Sequence, residues 1–354
     1  MKIASLVSGG VDSSVTIPLL KEMGYDPHIF YIQIGLKDDP KWVDCPAEED
    51  MEIVTYLAKK YGCKMESVSL QNEYWDLVIS YTINTVRSGL TPNPDIMCNK
   101  LIKFGAFNEK FGSEYDLIST GHYATTLNVD GEKYLGTAKD AFKDQTYFLG
   151  QISKQQLDKL IFPIGHLLKS EVRQKAISEK LPSAYRKDSQ GICFLGKINY
   201  SDFIRRYVGE KPGKIVELET GKILGDHKGI WFHTIGQRKG LGLGGGPWFV
   251  VKKDIENNIV WVSNGYDPVA QYKDTIQLAE FHFINAKADR DYSKPQPVKF
   301  KIRHQPEFAT GTLTNDGNSF VIHSESPVSG VAPGQYGVIY NPDATICLGS
   351  GVIC

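Results

Sequence analysis

Two cysteines, Cys98 and Cys193, lie in segments whose residue types favour chemistry at sulfur. Cys98 ends the stretch TPNPDIMC, in which Asn-Pro-Asp is typical of a stiff turn and Asp95 precedes the cysteine by three residues. We expect a helix to begin here, with its dipole stabilising a thiolate at the N-terminus. Cys193 lies in the irregular stretch KDSQGICFLG, between two glycines. Taken singly, each cysteine is more often a small buried hydrophobic residue than a nucleophile, but the context favours a reactive role.

The cysteines give no indication of a zinc site. The chain has six cysteines in 354 residues, and none of them is spaced C-x-x-C. In a reducing compartment such thiols remain thiols unless the chemistry uses them. We therefore expect no bound metal of this kind.

The stretch LVSGGVDSSV at residues 6–15 has the features of a phosphate-binding loop. A strand-like run precedes it and a helical pattern follows it. Glycines let backbone N–H groups turn toward an anion, the hydroxyls of Ser8, Ser13 and Ser14 add donors, and the helix start adds partial positive charge. The loop lacks the lysine of a nucleoside-triphosphatase loop and the G-x-G-x-x-G of a dinucleotide fingerprint. The alternative interpretation is a solvated helix cap after a flexible turn.

Strand-like and helical patterns alternate through the first half of the chain. The strand-like runs are KIASLV, PHIFYIQI, KMESVSL and YDLISTG, and the helical patterns cover residues 13–23, 47–61, 74–87 and 99–111. This alternation predicts an α/β fold with a parallel sheet, helices on both faces and ligands at the carboxyl ends of the strands. Gly121 and His122 follow the last of these runs, so we expect them near Gly9.

After about Gly196 the pattern changes to short strands punctuated by glycine. VELETGKIL and VKKDIENNIVWV are typical of hairpins, and the runs VKFKIRH, ATGTLT, SFVIHS and YGVIYN alternate like strands of an antiparallel barrel or sandwich. We predict a catalytic domain at residues 1–196, a small mixed central domain at 197–268 and a β-barrel domain at 269–354.

Composition excludes some classes of protein. The formal net charge is −1, so the overall charge does not indicate a nucleic-acid partner, and a polyanion would have to bind local patches. The apolar run at the N-terminus is interrupted by Ser8, Gly9 and Gly10, and no segment approaches the roughly 18 apolar residues of a membrane span. We therefore expect a cytoplasmic protein with no membrane partner.

Several motifs together carry a specific resemblance. SGGVDSS, CPAEED, TPNPDIMCN, GHYA, KDQTYFL, DSQGICF and TIGQRKGLG occur in that order, and KIRHQP and VAPGQYGVIY extend the likeness to the end of the chain. The chain resembles the tRNA-specific 2-thiouridylases, which belong to the PP-loop ATP pyrophosphatases with a HUP-like sheet. The resemblance implies adenylation of C2 of the wobble uridine and replacement of its oxygen by sulfur from a cysteine persulfide.

The resemblance also implies that the central domain at 197–268 binds tRNA, and it implies roles for individual residues. Cys98 would be the nucleophile, Cys193 the cysteine that carries the persulfide, and Asp95 a general acid or base. The residues expected to bind ATP are Leu6, Val7, Ser8, Gly9, Gly10, Val11, Asp12, Ser13, Ile32 and Gly121. The residues expected to bind tRNA are Asn93, Pro94, Asp95, His122, Lys143, Asp144, Gln145, Arg303, His304 and Gln335. The Asn93 to Asp95 segment would hold a flipped-out base.

The implied cofactors and partners follow from that reaction. ATP would bind with Mg²⁺, and the tRNA would present its anticodon stem-loop with the wobble uridine. The persulfide sulfur would come from a donor protein, either a sulfur-relay protein or a cysteine desulfurase. A mechanistic alternative remains open, in which Asp95, Cys98 and Cys193 hold an iron–sulfur cluster instead.

Two other functions compete with sulfur transfer. One is an ATP-dependent ligase of the same loop superfamily, which adenylates a small-molecule acid and needs neither cysteine. The other is a non-catalytic RNA-binding protein with a vestigial loop, which would release no pyrophosphate when tRNA is added.

Overall fold

The computed structural model describes residues 1–34, 47–187, 200–265, 269–285, 291–317 and 319–354. Cys193 and the predicted domain boundaries at 196 and 268 fall outside these ranges, and the boundaries stay predictions. The strands, in chain order, are β1 (Ile3–Leu6), β2 (Pro27–Gln33), β3 (Met65–Ser69), β4 (Leu117–Thr120), β5 (Thr125–Val129), β6 (Glu132–Gly136), β7 (Leu160–Ile161), β8 (Gly213–Glu217), β9 (Ile223–His227), β10 (Trp248–Asp254), β11 (Ile259–Asn264), β12 (Tyr272–Phe283), β13 (Gln296–Lys301), β14 (Ala309–Asn315), β15 (Phe320–Ser329), β16 (Tyr336–Tyr340) and β17 (Ile346–Ile353).

The helices lie mainly in the first half of the chain. They are α1 (Val11–Glu22), α2 (Ala47–Tyr61), α3 (Gln71–Glu73), α4 (Ser80–Arg87), α5 (Pro94–Met97), α6 (Phe107–Lys110), α7 (Lys154–Asp158), α8 (Lys169–Ser178) and α9 (Tyr200–Tyr207). Two π-helical stretches join neighbouring helices: Tyr74–Ile79 joins α3 to α4, and Cys98–Ala106 joins α5 to α6.

The N-terminal sheet is parallel and has the order β3-β2-β1-β4-β7. All four residues of β1 are buried, because helices cover both faces of the sheet. One apolar cluster joins α1, α2 and α8 to the sheet, and another joins it to the helical residues 71–87 and 94–110. The predicted parallel α/β fold is confirmed, and α2 has the predicted bounds.

The strand order reverses between β1 and β4. In open parallel sheets, ligands bind in the crevice at such a switch point, outside the carboxyl ends of the strands. The glycine loop follows β1, and Gly121 follows β4. The fold therefore brings these two segments to one end of the sheet.

The central sheet has the order β10-β11-β8-β9. The two predicted hairpins are β8–β9 and β10–β11, and they are joined by parallel pairing of β11 with β8. Its core contains Trp248, Val250, Val260 and Val262. These residues form the small mixed sheet that the sequence predicts.

The C-terminal strands close into an antiparallel barrel. The order is β12-β15-β14-β13-β16-β17, and β17 pairs with β12 to complete the ring. Closure leaves no free edge within the ring. The β5–β6 hairpin, which follows β4 in the chain, extends this sheet by pairing with β17 at Ile346 and Cys347. The barrel is therefore tied directly to the N-terminal part of the chain.

Candidate active site

The glycine loop between β1 and α1 is closed by serine hydroxyls. Ser13 Oγ accepts from the backbone N–H of Ser8 and donates to the carbonyl of Gly10, both at 3.1 Å. Ser14 Oγ donates to the same carbonyl at 2.8 Å. The loop is thus fixed by its own side chains at the N-terminus of a 12-residue helix, where partial positive charge favours an anion.

Gly9, in this loop, and Gly121, after β4, lie so close to neighbouring backbone that no side chain fits at either position. Gly9 has a φ of +76°, and a Cβ there would lie 2.8 Å from the Cα of Asp50. At Gly121 a Cβ would lie 2.6 Å from the backbone nitrogen of Ser13. Larger residues at either position would displace backbone rather than a flexible side chain, so the segment after β4 lies directly against the loop.

The loop sequence contains no lysine, but Lys169 from α8 reaches the loop. Lys169 Nζ donates to both carboxylate oxygens of Asp12, at 2.7 and 2.9 Å. The hydroxyl of Tyr123 donates to Asp12 Oδ1 at 2.9 Å, and Lys169 Nζ lies 5.8 Å from the centroid of the Tyr123 ring. No local motif in the sequence indicates Lys169, because it is 157 residues from Asp12.

An arginine also contacts the loop. Arg186 Nη1 donates to the carbonyl of Gly9 at 3.1 Å and forms an ion pair with Asp50, while its Nη2 lies 3.5 Å from Glu49. Burial raises the pKa of Asp50, and the hydrogen bond and charge of Arg186 oppose that rise. Sequence reasoning missed Arg186 as it missed Lys169, since both reach the loop only through the fold.

The helix that carries Cys98 begins earlier than the sequence predicts. Asn93 is its N-cap, with Oδ1 accepting from the backbone N–H of Ile96 at 3.2 Å, and Pro94 occupies the first turn. Cys98 therefore lies in the second turn and not at the entrance, where the dipole acts most strongly. Its side chain is buried, with 0% of its surface exposed. Asp95 lies three residues earlier on the same helix face.

Cys98 and two predicted ATP-binding residues share one apolar cluster. Leu6 at the end of β1 and Ile32 near the end of β2 belong to the same contiguous cluster as Cys98. The nucleophile predicted from the sequence and the start of the phosphate loop are therefore parts of one packed unit.

His122 is buried beside the loop that follows β4. Its Nδ1 lies 2.8 Å from Thr120 Oγ1, and its ring faces Phe104 and Phe162. Burial lowers the pKa of His122 well below its usual value, and the charge of Lys103 adds to the effect. The imidazole is therefore neutral at pH 7.

The segment with Lys143, Asp144 and Gln145 is held by its surroundings. The Asp144 carboxylate is buried and accepts from the backbone N–H of Ala138 at 2.8 Å, and Lys301 Nζ lies 3.7 Å away. Gln145 Oε1 accepts from the backbone N–H of Tyr123 at 2.9 Å. The side chains of Asp144 and Gln145 therefore hydrogen-bond to the protein's own backbone. The Lys143 side chain is half-buried, so part of it faces solvent.

Predicted tRNA-binding residues from the barrel meet that segment. His304 Nε2 lies 3.0 Å from the carbonyl oxygen of Asp144, and its ring centroid is 4.7 Å from that of Phe148. Arg303 is exposed and donates from Nε to Gln305 at 2.9 Å. Gln335, also from the barrel domain, accepts from Asn93 Nδ2 at 3.1 Å. The fold thus joins two of the predicted tRNA-binding groups that are far apart in sequence.

The part of the chain that the structure describes contains no group of three or more His, Cys, Asp or Glu residues that could hold a metal ion. Cys193 lies outside that part, so the iron–sulfur alternative stays open. No helix within the same ranges is long and apolar enough to cross a membrane.

Three family models match successive parts of the chain. The one described as tRNA methyl transferase HUP domain covers residues 1–197. The tRNA methyl transferase PRC-barrel domain covers 201–264, and the Aminomethyltransferase beta-barrel domain covers 273–353. The parallel sheet with its serine–glycine loop at the switch point therefore defines a nucleotide-binding HUP-domain protein of the PP-loop class.

The most informative relatives span the whole chain. A protein of Parabacteroides distasonis named tRNA-specific 2-thiouridylase MnmA is 62% identical over 353 residues, which is 100% of this chain and 99% of that protein. A Porphyromonas gingivalis protein of the same name is 60% identical over 357 residues, again 100% and 99%. The chain belongs to the family of tRNA-specific 2-thiouridylases. The match to a solved NMN synthetase from Francisella tularensis covers 59% of this chain and 77% of that one, at 14% identity and a TM-score of 0.34.

Proposed function

We propose that this protein is an ATP-dependent tRNA sulfurtransferase that converts the wobble uridine to 2-thiouridine. The observation that carries the proposal is the serine–glycine loop, at which Lys169 pairs with Asp12, together with the packing of Leu6, just before the loop, in the same apolar cluster as Cys98. A carbonyl oxygen is a poor leaving group, and joining it to AMP makes it a good one. That reaction needs a loop that holds pyrophosphate, and it does not need a clamp for transfer of the γ-phosphate.

In the first step, the C2 oxygen of uridine attacks the α-phosphorus of ATP and pyrophosphate leaves. The loop residues Ser8 to Ser13 would hold the pyrophosphate by hydrogen bonds, and Lys169 would add the positive charge that the loop sequence lacks. Ile32 and Gly121 would contact the nucleotide at the strand ends. Mg²⁺ is usually held by one or two carboxylates together with substrate phosphates, and Asp12 and Asp50 are carboxylates that lie at this loop.

In the second step, sulfur replaces the activated oxygen. The terminal sulfur of a persulfide on Cys193 attacks C2 and AMP leaves, which gives a uridine–S–S–Cys193 disulfide. The Cys98 thiolate then attacks the Cys193 sulfur, the thiouridine leaves, and a Cys98–Cys193 disulfide remains. Asp95, on the same helix face as Cys98, would move the proton. An external thiol reduces the disulfide before the next cycle.

The tRNA-binding surface would combine the N-terminal domain with the barrel. Lys143, Arg303 and His304 would contact the tRNA phosphates or bases, and the Asn93 to Asp95 segment would hold the flipped uridine. The persulfide would come from a sulfur-relay protein or a cysteine desulfurase. Because Asp144 and His122 are buried, we assign them to holding this surface in place.

The test is nucleoside analysis of tRNA incubated with the protein, ATP and a persulfide source. We expect 2-thiouridine with ATP and none without it, and AMP and pyrophosphate should form in proportion. If tRNA incubated with folded, sulfur-loaded protein contains no 2-thiouridine, the proposal is refuted. Because the family-model descriptions mention methyl transfer, a parallel reaction with S-adenosylmethionine in place of ATP is the matched control.

Two further measurements separate the competing interpretations. Turnover of ATP in a Cys98→Ser, Cys193→Ser double variant with a small-molecule acid would favour the ligase. Iron analysis of anaerobically purified protein separates the persulfide from the cluster mechanism, and we expect no stoichiometric iron.

A further inference from the structure

The turn at residues 140–143 carries an aromatic ring that the protein leaves uncovered. Phe142 is 77% exposed, and it is the only exposed phenylalanine in the part of the chain that the structure describes. A single exposed apolar side chain is common and by itself needs no function. Phe142 differs from such a residue in two respects, which are the fixed backbone beneath the ring and the charged surface that continues from the turn.

The carboxylate of Asp140 fixes the turn. Its Oδ1 accepts from the backbone N–H groups of Phe142, at 3.1 Å, and Lys143, at 3.2 Å. Its Oδ2 accepts from the backbone N–H of Lys169, the first residue of α8, at 2.9 Å. One side chain therefore ties the turn to the helix whose Lys169 pairs with Asp12 of the phosphate loop. Because the backbone of the turn is already ordered, a ligand that binds the ring does not have to order it.

The other end of the turn leads to the barrel. Lys143, which follows Phe142 directly, is half-buried. The carbonyl oxygen of Asp144 lies 3.0 Å from His304 Nε2, and Arg303, next to His304, is exposed. The turn is therefore continuous with a surface that carries the cations Lys143 and Arg303. Such charges favour the phosphate backbone of a nucleic acid over an apolar protein surface as the partner of this face.

We propose that Phe142 is a stacking platform for an unpaired nucleobase of the bound tRNA. Proteins hold single-stranded RNA by stacking its bases on exposed aromatic rings, and an anticodon loop offers unpaired bases. The stacked base is not the wobble uridine, which the Asn93 to Asp95 segment would hold. The assignment rests on the proposed function for its tRNA, whereas the exposed ring and its fixed turn belong to the protein alone. The ring adds affinity for tRNA and takes no part in the chemistry.

The test measures the Kd for unmodified tRNA without ATP. Phe142→Ala removes the ring, Phe142→Leu keeps an apolar side chain without a π face, and Phe142→Tyr and Phe142→Trp keep an aromatic ring. We expect about tenfold weaker binding in the Ala and Leu variants and binding within about twofold of the wild type in the Tyr and Trp variants. The control is Tyr56→Leu, which removes an exposed aromatic ring from α2 and should bind tRNA like the wild type. Because Phe142 is exposed, its variants should unfold at the wild-type denaturant concentration.

A salt titration separates stacking from contact with phosphate. Phe142→Ala should leave the slope of log Kd against log salt concentration unchanged, since no cation is lost. Lys143→Ala should reduce that slope by about 0.7–0.9 for each phosphate contact that it removes. A reduced slope in Phe142→Ala would mean that the substitution acts by displacing Lys143, and it would overturn the proposal.

An ATP titration distinguishes a tRNA base from the adenine of ATP, which is the other ring that could stack here. We expect wild-type ATP affinity in Phe142→Ala, and weakened ATP affinity with unchanged tRNA affinity would overturn the proposal in favour of adenine. Wild-type tRNA affinity in Phe142→Leu would also overturn it, because an apolar contact without a π face would then suffice. If the wild-type protein binds tRNA but makes no 2-thiouridine, the proposed function fails, while the Kd values still decide the role of Phe142.

Discussion

Lys169 and Asp12 form an ion pair at the end of the phosphate loop, in which Lys169 Nζ lies 2.7 and 2.9 Å from the two carboxylate oxygens of Asp12. Only 16% of the lysine side chain is exposed, compared with 31% of the aspartate. A partly buried cation beside an anion-binding loop has a stronger field than one in water. Lys169 thus offsets the negative charge of Asp12 with a cation that the loop sequence itself does not encode.

We predict that Lys169→Met weakens the binding of pyrophosphate and ATP by about 10- to 100-fold, since a hydrogen bond to a charged group contributes roughly 1.5–3 kcal/mol. Isothermal titration calorimetry measures the affinity for pyrophosphate in the absence of tRNA. Lys169→Arg should restore part of the affinity, because it keeps the charge with a different geometry. The control is Lys175→Met, which removes another α8 lysine that pairs with Glu22. Unchanged pyrophosphate affinity in Lys169→Met would show that the ion pair only joins two helices.

Gly121→Ala should displace the backbone of the phosphate loop at Ser13. The added Cβ would lie 2.6 Å from the nitrogen of Ser13 and 2.7 Å from its Cα, and these atoms are backbone. We expect the free energy of unfolding to fall by about 1–3 kcal/mol and ATP affinity to fall with it. Gly244→Ala is the matched control, since a Cβ there meets nothing within 4 Å. Denaturant unfolding and ATP titration measure the stability and the nucleotide affinity of both variants. If Gly121→Ala matches Gly244→Ala in both quantities, Gly121 does not lie against the Ser13 backbone as described.

The two cysteine variants should stop the reaction at different points. Cys193→Ser should still form AMP-linked tRNA but transfer no sulfur. Cys98→Ser should accept the persulfide on Cys193 and stall as a tRNA–S–S–Cys193 adduct, because the resolving thiolate is missing. Gel electrophoresis with and without reductant detects that adduct, and mass spectrometry locates the extra sulfur.

Cys354→Ser is the control for the cysteine series, because this thiol is exposed in the barrel domain. It should leave both sulfur loading and turnover unchanged. Persulfide on Cys98 in the Cys193→Ser protein, with turnover preserved, would reverse the assigned roles.

Buried histidine makes stability fall as the solution becomes acidic. The pKa of His122 is far below its usual value in the folded protein. Between that pKa and about 6.5, the unfolded chain binds a proton that the folded chain does not, so the free energy of unfolding decreases as the pH falls. His227 and His233 contribute in the same direction, since burial lowers their pKa values too, that of His233 to about 4.

His122→Asn should therefore make the loss of stability shallower as the pH falls below about 6.5, by at most about 1.4 kcal/mol per pH unit. Denaturant unfolding at several pH values measures the slope. His166→Asn, at an exposed position, controls for the loss of an imidazole. An unchanged slope in His122→Asn would mean that this ring is protonated in the folded protein.

The sequence by itself determined the features that depend on neighbouring residues. The strand, glycine turn and helix at residues 3–22, the alternating α/β pattern and the hairpins of the second half are encoded in local propensity and periodicity, and the structure has them. Cys98 and the loop serines could be named as candidates because local motifs carry them. Family motifs then added roles that spacing alone could not give.

Only the tertiary structure decided which distant residues complete the site. Lys169 lies 157 residues from Asp12, and Gln335 lies 242 residues from Asn93, yet each pair is joined by hydrogen bonds. Such contacts depend on how the sheet, α8 and the barrel pack, and no local pattern specifies a partner at that separation. The burial of His122 and the start at Pro94 of the helix that carries Cys98 were decided in the same way, since packing and capping determine them.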